Sequence, residues 1–205
     1  MTLRTLTLLP IVLISLLMSG CINMPIKESG ERAFQREFAG MTYIKVPYVE
    51  QESAVTCGVA VIQSVSDFWG SPIDQQTMLV DHPPADTEEG YSLAELKTIV
   101  KRHSRLKAFV LKANGKLLEQ MIAKGRPVIV AVRTEPRPYI ETPFEFTRRL
   151  VRILAEEYNH YIAVIGINKE KVAIMDPAQG FYVMKRDRFN TIWAELGNAS
   201  LLIAK

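Results

Sequence analysis

Cys57 is the residue around which this sequence could do chemistry. It precedes Gly58 and lies six positions after Gln51, which places a carboxamide close to a thiol. Far downstream, Asn159-His160-Tyr161 and Asp176-Pro177 add an imidazole and a carboxylate. A thiol, a base and a carboxylate that orients the base are the groups of nucleophilic acyl chemistry. Attack needs the thiolate, and an ordinary cysteine is mostly protonated at neutral pH. The positive end of a helix starting at Cys57 favours the anion, and His160 can take the proton and hold it as imidazolium. Attack on a carbonyl creates an oxyanion, and the Gln51 amide with the Cys57 backbone N–H can supply two donors to it. Gly58 reads as a residue that leaves the backbone beside the nucleophile uncrowded.

Taken singly, each of these residues has an ordinary reading. A lone cysteine opening an apolar helix is a small buried hydrophobe, a lone histidine is structural, and Asp before Pro is a turn former. Their joint presence carries the argument. His82 and His103 lack partners at metal-ligand spacing and receive no role; His103 suits the basic end of its helix. No metal or organic cofactor is implied.

The elements that must position these groups follow from periodicity. After Cys57, the residues Val61, Ile62, Val65, Phe68 and Trp69 recur at helical spacing, and Gly70 and Pro72 stop the helix. Ser92 and Glu95 form a capping-box pattern ahead of Leu93, Leu96, Ile99 and Val100, which predicts a helix to about His103. A third helix is predicted over Lys116 to Lys124, ending at Gly125. Thereafter the pattern turns extended: Pro127 to Val132, His160 to Ile167, Lys171 to Met175, Phe181 to Met184 and Ser200 to Ala204 read as strands, and so does Thr42 to Val46 nearer the start. A hairpin of the second and third runs would bring His160 and Asp176 together. Phe189 and Trp193 read as core side chains. Helices followed by successive strands predict an α+β fold with a mainly antiparallel sheet.

At 205 residues, 48% hydrophobic and 23% charged, the chain suits one well-filled domain, expected over 41–205. The net charge of +3 is a small excess of 25 basic over 22 acidic residues, with no basic tract interleaved with aromatics, so nucleic-acid binding has no support. Residues 133–159 open with Pro136, Pro138 and Pro143 and continue into an amphipathic stretch, which reads as a loop plus a helix inserted between strands. Its Arg148, Arg149 and Arg152 read as a solvated helix face.

The N-terminus gives a separate address. Residues 1–20 hold Arg4 and an apolar run from Leu8 to Leu17, the layout of a secretory signal. Leu17-Met18-Ser19-Gly20-Cys21 resembles the bacterial lipobox, which implies lipidation at Cys21. Acyl chains at about 0.8 kcal/mol per buried methylene would anchor the chain durably to membrane lipid. Residues 21–40 then read as a tether. Ile22, by the lipoprotein sorting rule, implies the outer membrane facing the periplasm. With Cys21 lipidated, Cys57 is the one cysteine left, so no intramolecular disulfide can form.

The motifs together carry a family resemblance. Val46-Pro47-Tyr48, Gln51 ahead of Cys57-Gly58-Val59-Ala60, then Gly125-Arg126-Pro127-Val128-Ile129-Val130, His160-Tyr161 and Asp176-Pro177, in this order, resemble the bacteriocin-processing peptidases, family 39 of the cysteine peptidases, in stand-alone form. The resemblance implies a papain-like fold, Cys57 as nucleophile, His160 as general base and acid, Asp176 as its orienting partner and Gln51 in the oxyanion hole. It also implies cleavage of a peptide bond in an exported peptide or protein, which the best-known members cut after a double glycine in a leader peptide. Two other uses of the same groups stay open: a non-catalytic cleft that holds a peptide or assembly partner, and acyl transfer to an acceptor other than water.

Overall fold

The computed structural model describes residues 41–134 and 158–205. The expected signal and tether, and most of the segment 133–159 with Arg148, Arg149 and Arg152, therefore lie outside the described residues. In chain order the elements are α1 (Cys57–Phe68), α2 (Gln75–Asp81), α3 (Leu93–His103), β1 (Lys107–Lys112), α4 (Gly115–Ala123), β2 (Val128–Thr134), β3 (Tyr158–Ile167), β4 (Lys171–Asp176), β5 (Gly180–Lys185), α5 (Arg186–Ala194) and β6 (Ala199–Ala204). The strands form one sheet in the order β1-β6-β2-β3-β4-β5, and every pairing is antiparallel.

The near-continuous apolar runs of β2, β3 and β4 follow from burial on both faces. On β3, Ala163 and Ile165 join a core with residues of α1, α2 and α3, while Ile162 and Val164 join a second core with residues of α4 and α5. The sheet is thus sandwiched between two helical layers. The α+β class with an antiparallel sheet agrees with the sequence; the second layer, made by α4 and α5, goes beyond helices packed on one side.

Helix α1 is buried almost all round, from Cys57 through Ser66 with only Gln63 less covered. Val59, Val61, Ile62 and Val65 are fully enclosed, each worth at most about 1.5–3 kcal/mol of transfer free energy. Its two inward serines are satisfied locally. Ser64 Oγ donates to Pro47 O at 2.6 Å, and Ser66 Oγ donates to Gln63 O at 3.0 Å while accepting from Ile73 N at 3.2 Å. These bonds fix the segments that lead into and out of the helix, and so fix where Cys57 stands.

The capping box of α3 forms as predicted: Ser92 Oγ accepts from Glu95 N at 3.3 Å, and Glu95 Oε2 accepts from Ser92 N at 2.7 Å. Asn114 caps α4 by accepting from Leu117 N at 2.9 Å, and Gly125 ends that helix at φ +68°.

Thr42 to Val46 was expected as a strand but belongs to no ladder. β3 already has β2 and β4 as neighbours, and a bulge between Val164 and Gly166 leaves the Ile165 carbonyl outside the ladder with β4. Ile44 N donates to that carbonyl at 2.8 Å, so one bond replaces a strand pairing. Gly166 permits the close approach: a Cβ there would lie 2.9 Å from the Ala173 Cβ and 3.1 Å from the Thr42 carbonyl oxygen. The predicted insertion is also shorter than expected. Arg133 and Thr134 pair with Asn159 and Tyr158, extending β2 and β3 into it.

Candidate active site

Cys57 is the first residue of α1, whose first turn carries no acidic residue and no side-chain cap. The N–H groups there stay uncapped by side chains, an electropositive setting for an anion. The thiol is free and buried. Gly58 is not in open space as the sequence suggested. A Cβ at residue 58 would meet both Leu96 Cδ atoms at 3.0 Å and Tyr161 Cδ2 at 3.2 Å, so glycine is what lets α1 seat against α3 and β3.

The hairpin of β3 and β4 brings His160 and Asp176 together. Continuing the register from Ala163 opposite Met175 puts Asp176 opposite Ile162, two residues from His160 on the same face, a diagonal pair that long side chains can close. His160 Nε2 lies 2.9 Å from Asp176 Oδ1, with both residues almost completely buried. Asp176 Oδ1 also accepts from Ala178 N at 2.8 Å and Gln179 N at 3.2 Å, and Tyr182 Oη donates to Oδ2 at 3.1 Å. A group that accepts from all these donors is a carboxylate, so His160 Nε2 carries a proton and donates. In the neutral ring Nδ1 then holds the lone pair. Nδ1 is buried without an aligned hydrogen-bond partner, and by elimination it is the nitrogen left to face Cys57. Burial works against a charged imidazole, but the Asp176 hydrogen bond and the adjacent Cys57 outweigh it and push His160 up to about 9.

The Gln51 loop is stitched to the same turn. Gln51 N donates to Pro177 O at 3.0 Å and Tyr48 Oη donates to it at 3.2 Å. The Gln51 side chain, however, donates from Nε2 to Ser53 O at 2.8 Å, its Oε1 is buried without a partner, and it does not line the cleft. One Nε2 hydrogen is therefore committed locally, leaving the second for another acceptor.

Cys57 and His160 share a cleft of about 340 Å³, walled by Tyr91, Ser92, Ala131 and Tyr161 and rimmed by Asp86, Glu89 and Glu95. Tyr161 Oη donates to Tyr91 O at 2.8 Å; burial, then the charges of Cys57 and Glu95, hold this phenol above its usual range, so it stays a neutral donor. Gly90 closes the rim, with φ +79° and a would-be Cβ only 2.6 Å from the Val55 carbonyl oxygen. Sequence reasoning missed Tyr182, Tyr161 and the acidic rim. None has a local signal, because each joins the site through tertiary contacts. Of the histidines given no role, His82 and His103 stack edge to face at 5.2 Å between ring centres, away from this cleft. Among the described residues no group of three or more His, Cys, Asp or Glu side chains is placed to hold a metal.

A cysteine at a helix N-terminus sharing a cleft with a histidine on a sheet, with an acid behind the histidine, matches the arrangement of a papain-like cysteine peptidase. The sequence model of the Peptidase_C39 like family matches residues 43–201, and the chain belongs to that family. Solved structures agree in fold. A C39-like peptidase from Bacillus anthracis superposes with a TM-score of 0.59 at 15% identity, over 80% of this chain and 98% of the other. The double glycine motif protease of an AMS/PCAT transporter, in complex with a leader peptide, gives 0.57 at 17% identity, over 79% and 93%. The peptidase domain of Streptococcus ComA, a bifunctional ABC transporter of a quorum-sensing pathway, gives 0.55 at 21% identity, over 78% and 97%. No curated protein sequence matches the chain significantly.

Proposed function

We propose that the protein is a lipid-anchored cysteine endopeptidase of the bacterial periplasm, held at the outer membrane, that cleaves a peptide bond in an exported peptide or protein. The observation that carries this reading is the buried His160–Asp176 pair at 2.9 Å with His160 and Cys57 in one cleft. The leader-peptide complex of a structural neighbour supports a peptide as the occupant of such a cleft. The anchor and compartment rest on the lipobox pattern ending at Cys21 and on Ile22.

The chemistry runs as follows. The Cys57 thiolate attacks the scissile carbonyl carbon, and the oxyanion is met by the Cys57 backbone N–H, joined by the second Gln51 amide hydrogen once that side chain turns from Ser53 into the cleft. The C–N bond breaks as His160 Nδ1–H gives its proton to the leaving amine, which departs and leaves a thioester. Neutral His160 then takes a proton from water as it attacks the thioester. The C–S bond breaks, the acid product leaves and the thiolate–imidazolium pair is restored. Throughout, Asp176 holds the Nε2 proton in place and stabilises the charged ring.

The test is the rate of Cys57 alkylation by iodoacetamide against pH, in the full chain in detergent and in its His160→Ala variant. Wild type is expected to keep a fast rate well below pH 7, and the variant to follow the pH dependence of an ordinary thiol. Identical profiles in the two proteins would sink the reading. For the anchor, labelled palmitate is expected in the wild-type chain and not in Cys21→Ser; equal labelling of both would move the attachment elsewhere.

A further inference from the structure

Gln75 opens α2 and is only 5% exposed, an uncommon place for a carboxamide. Its Nε2 donates to the Glu50 carbonyl at 3.2 Å, while its Oε1 is buried with no partner among the described residues. An unpaired buried oxygen costs about 1–3 kcal/mol, a penalty that an apolar side chain of the same shape would avoid. The amide cannot turn over to escape it, because Oε1 would then face the Glu50 oxygen.

The bond holds the peptide unit between Glu50 and Gln51. Its carbonyl accepts from Gln75 Nε2, and its N–H, that of Gln51, donates to Pro177 O at 3.0 Å. The two groups of a trans peptide point in opposite directions, so the unit is gripped from both sides. One grip is α2 and the other is the turn that begins at Asp176. Gln75 is tied in turn to the helix of Cys57. Its backbone N–H, an orphan at a helix start, donates to Gln63 Oε1 of α1 at 2.8 Å. Beyond Gln51, the neighbouring Gln76 Nε2 donates to the Glu52 carboxylate. The loop is thus held on both flanks of Gln51, and one line of bonds runs from Gln63 through Gln75 and Glu50 to Pro177.

Such a clamp fixes the backbone of Gln51 and leaves its side chain to turn from Ser53. An oxyanion donor depends on this, because a misplacement of about 1 Å can cost about 100-fold in rate. We infer that Gln75 is a positioning residue for the oxyanion hole, setting where the Gln51 amide can reach and acting only through it. This rests on the peptidase reading and adds a residue to its machinery.

Two reagents separate positioning from packing. Iodoacetamide is attacked at a saturated carbon and loses iodide, with no oxyanion formed. p-Nitrophenyl acetate is attacked at its carbonyl carbon: the C–S bond forms, an oxyanion develops, and the C–O bond breaks to release p-nitrophenolate. Both rates are measured on the full chain in detergent carrying Cys21→Ser, which leaves Cys57 as its one thiol. Gln75→Met keeps the length of the side chain and removes the donor. It is expected to slow the acylation burst about 10-fold, less than outright deletion of an oxyanion donor, and to leave alkylation within about twofold of wild type. In a Gln51→Ala background the same substitution should slow acylation no further. An acylation-to-alkylation ratio that stays at the wild-type value overturns the inference, and so does one that falls equally without Gln51. A parallel fall of both rates overturns it too, by making Gln75 a packing residue. If Gln75→Met does not fold, Gln63→Met removes the acceptor of the Gln75 N–H and reads the same clamp. There the expected result is a several-fold fall in acylation alone, abolished by Gln51→Ala, and an unchanged ratio is again the overturning one. The peptidase reading fails separately, through loss of the His160 dependence of alkylation, which the clamp does not touch.

Discussion

Replacing Asp176 by alanine is expected to slow Cys57 alkylation at pH 6 by about 100-fold and to lower the melting temperature by about 10 °C. Both effects come from one carboxylate with four partners: His160 Nε2, Ala178 N, Gln179 N and Tyr182 Oη. Without it, His160 keeps its burial, which disfavours the charged ring, and loses the hydrogen bond and the charge that outweighed burial. Burial alone then carries the ring below its ordinary 6.5. Each unit that it lies below pH 6 removes about tenfold of the thiolate–imidazolium population, so about two units give about 100-fold. The stability loss follows from leaving a buried pair broken, about 3–5 kcal/mol, in a domain where each kcal/mol is about 2–4 °C. Asp176→Asn should be much milder. Its carbonyl can accept from His160 Nε2 and Ala178 N, and the Tyr182 hydroxyl can turn to accept from the amide NH₂ where it now donates to Oδ2. The amide is then oriented with oxygen toward the histidine, which keeps the Nε2–H tautomer that catalysis needs. Adding Tyr182→Phe removes that control and should bring Asn close to Ala. Alkylation rates across wild type and the three variants, with thermal melts alongside, read both effects; an Ala variant that reacts like wild type would remove Asp176 from the site.

How much of this arrangement the sequence discloses depends on whether the signal is local. The start of α1, the Ser92–Glu95 box and the Gly125 stop are written in a few adjacent residues, and each is found where its pattern placed it. The β3–β4 hairpin is equally local, because two apolar runs separated by a short turn have few other ways to pair, and that is why His160 and Asp176 could be brought together without coordinates. Three elements were not legible. In α2, seven residues hold one fully buried apolar side chain, Met78, too few to make a period. β1 is an edge strand with only Ala108 fully buried and Leu111 half-buried, and its lysines and exposed Phe109 and Val110 hide the alternation. α5 carries Phe189, Ile192 and Trp193 at helical spacing, but with no side-chain cap to mark its start. The acidic rim is further from sequence still. Glu95 is visible only as a capping residue, and Asp86 and Glu89 reach the cleft because Gly90 adopts a left-handed conformation against Val55. The oxyanion role expected for Gln51 shows the limit of spacing arguments. Six positions bring its loop to the Asp176–Pro177 turn, while the direction of its amide is set by Ser53.

The histidine also makes stability depend on pH with a sign opposite to that of a buried acid. In the unfolded chain an imidazole titrates near 6.5, and in the fold His160 is pushed up to about 9. The folded state therefore holds the proton more tightly, and its contribution is fully present below about pH 6.5. As pH rises from there the unfolded chain gives up its proton first. The contribution shrinks through the interval and is gone above about pH 9. Integrated over that interval it is about 3 kcal/mol, a large share of the 5–15 kcal/mol typical of a domain. Urea denaturation of wild type and His160→Gln at pH 6 and pH 9.5 isolates it. The wild-type advantage should be clear at pH 6 and largely absent at pH 9.5. An advantage that grows with pH would mean a neutral buried ring, with burial outweighing Asp176. The same limit bounds catalysis, because the leaving amine needs a proton from imidazolium. Above about pH 9 peptide cleavage should fall by about tenfold per pH unit, while alkylation, which needs only the thiolate, should not. Divergence of the two profiles above pH 9 places His160 as the acid as well as the base, and parallel profiles would assign the proton delivery to another group.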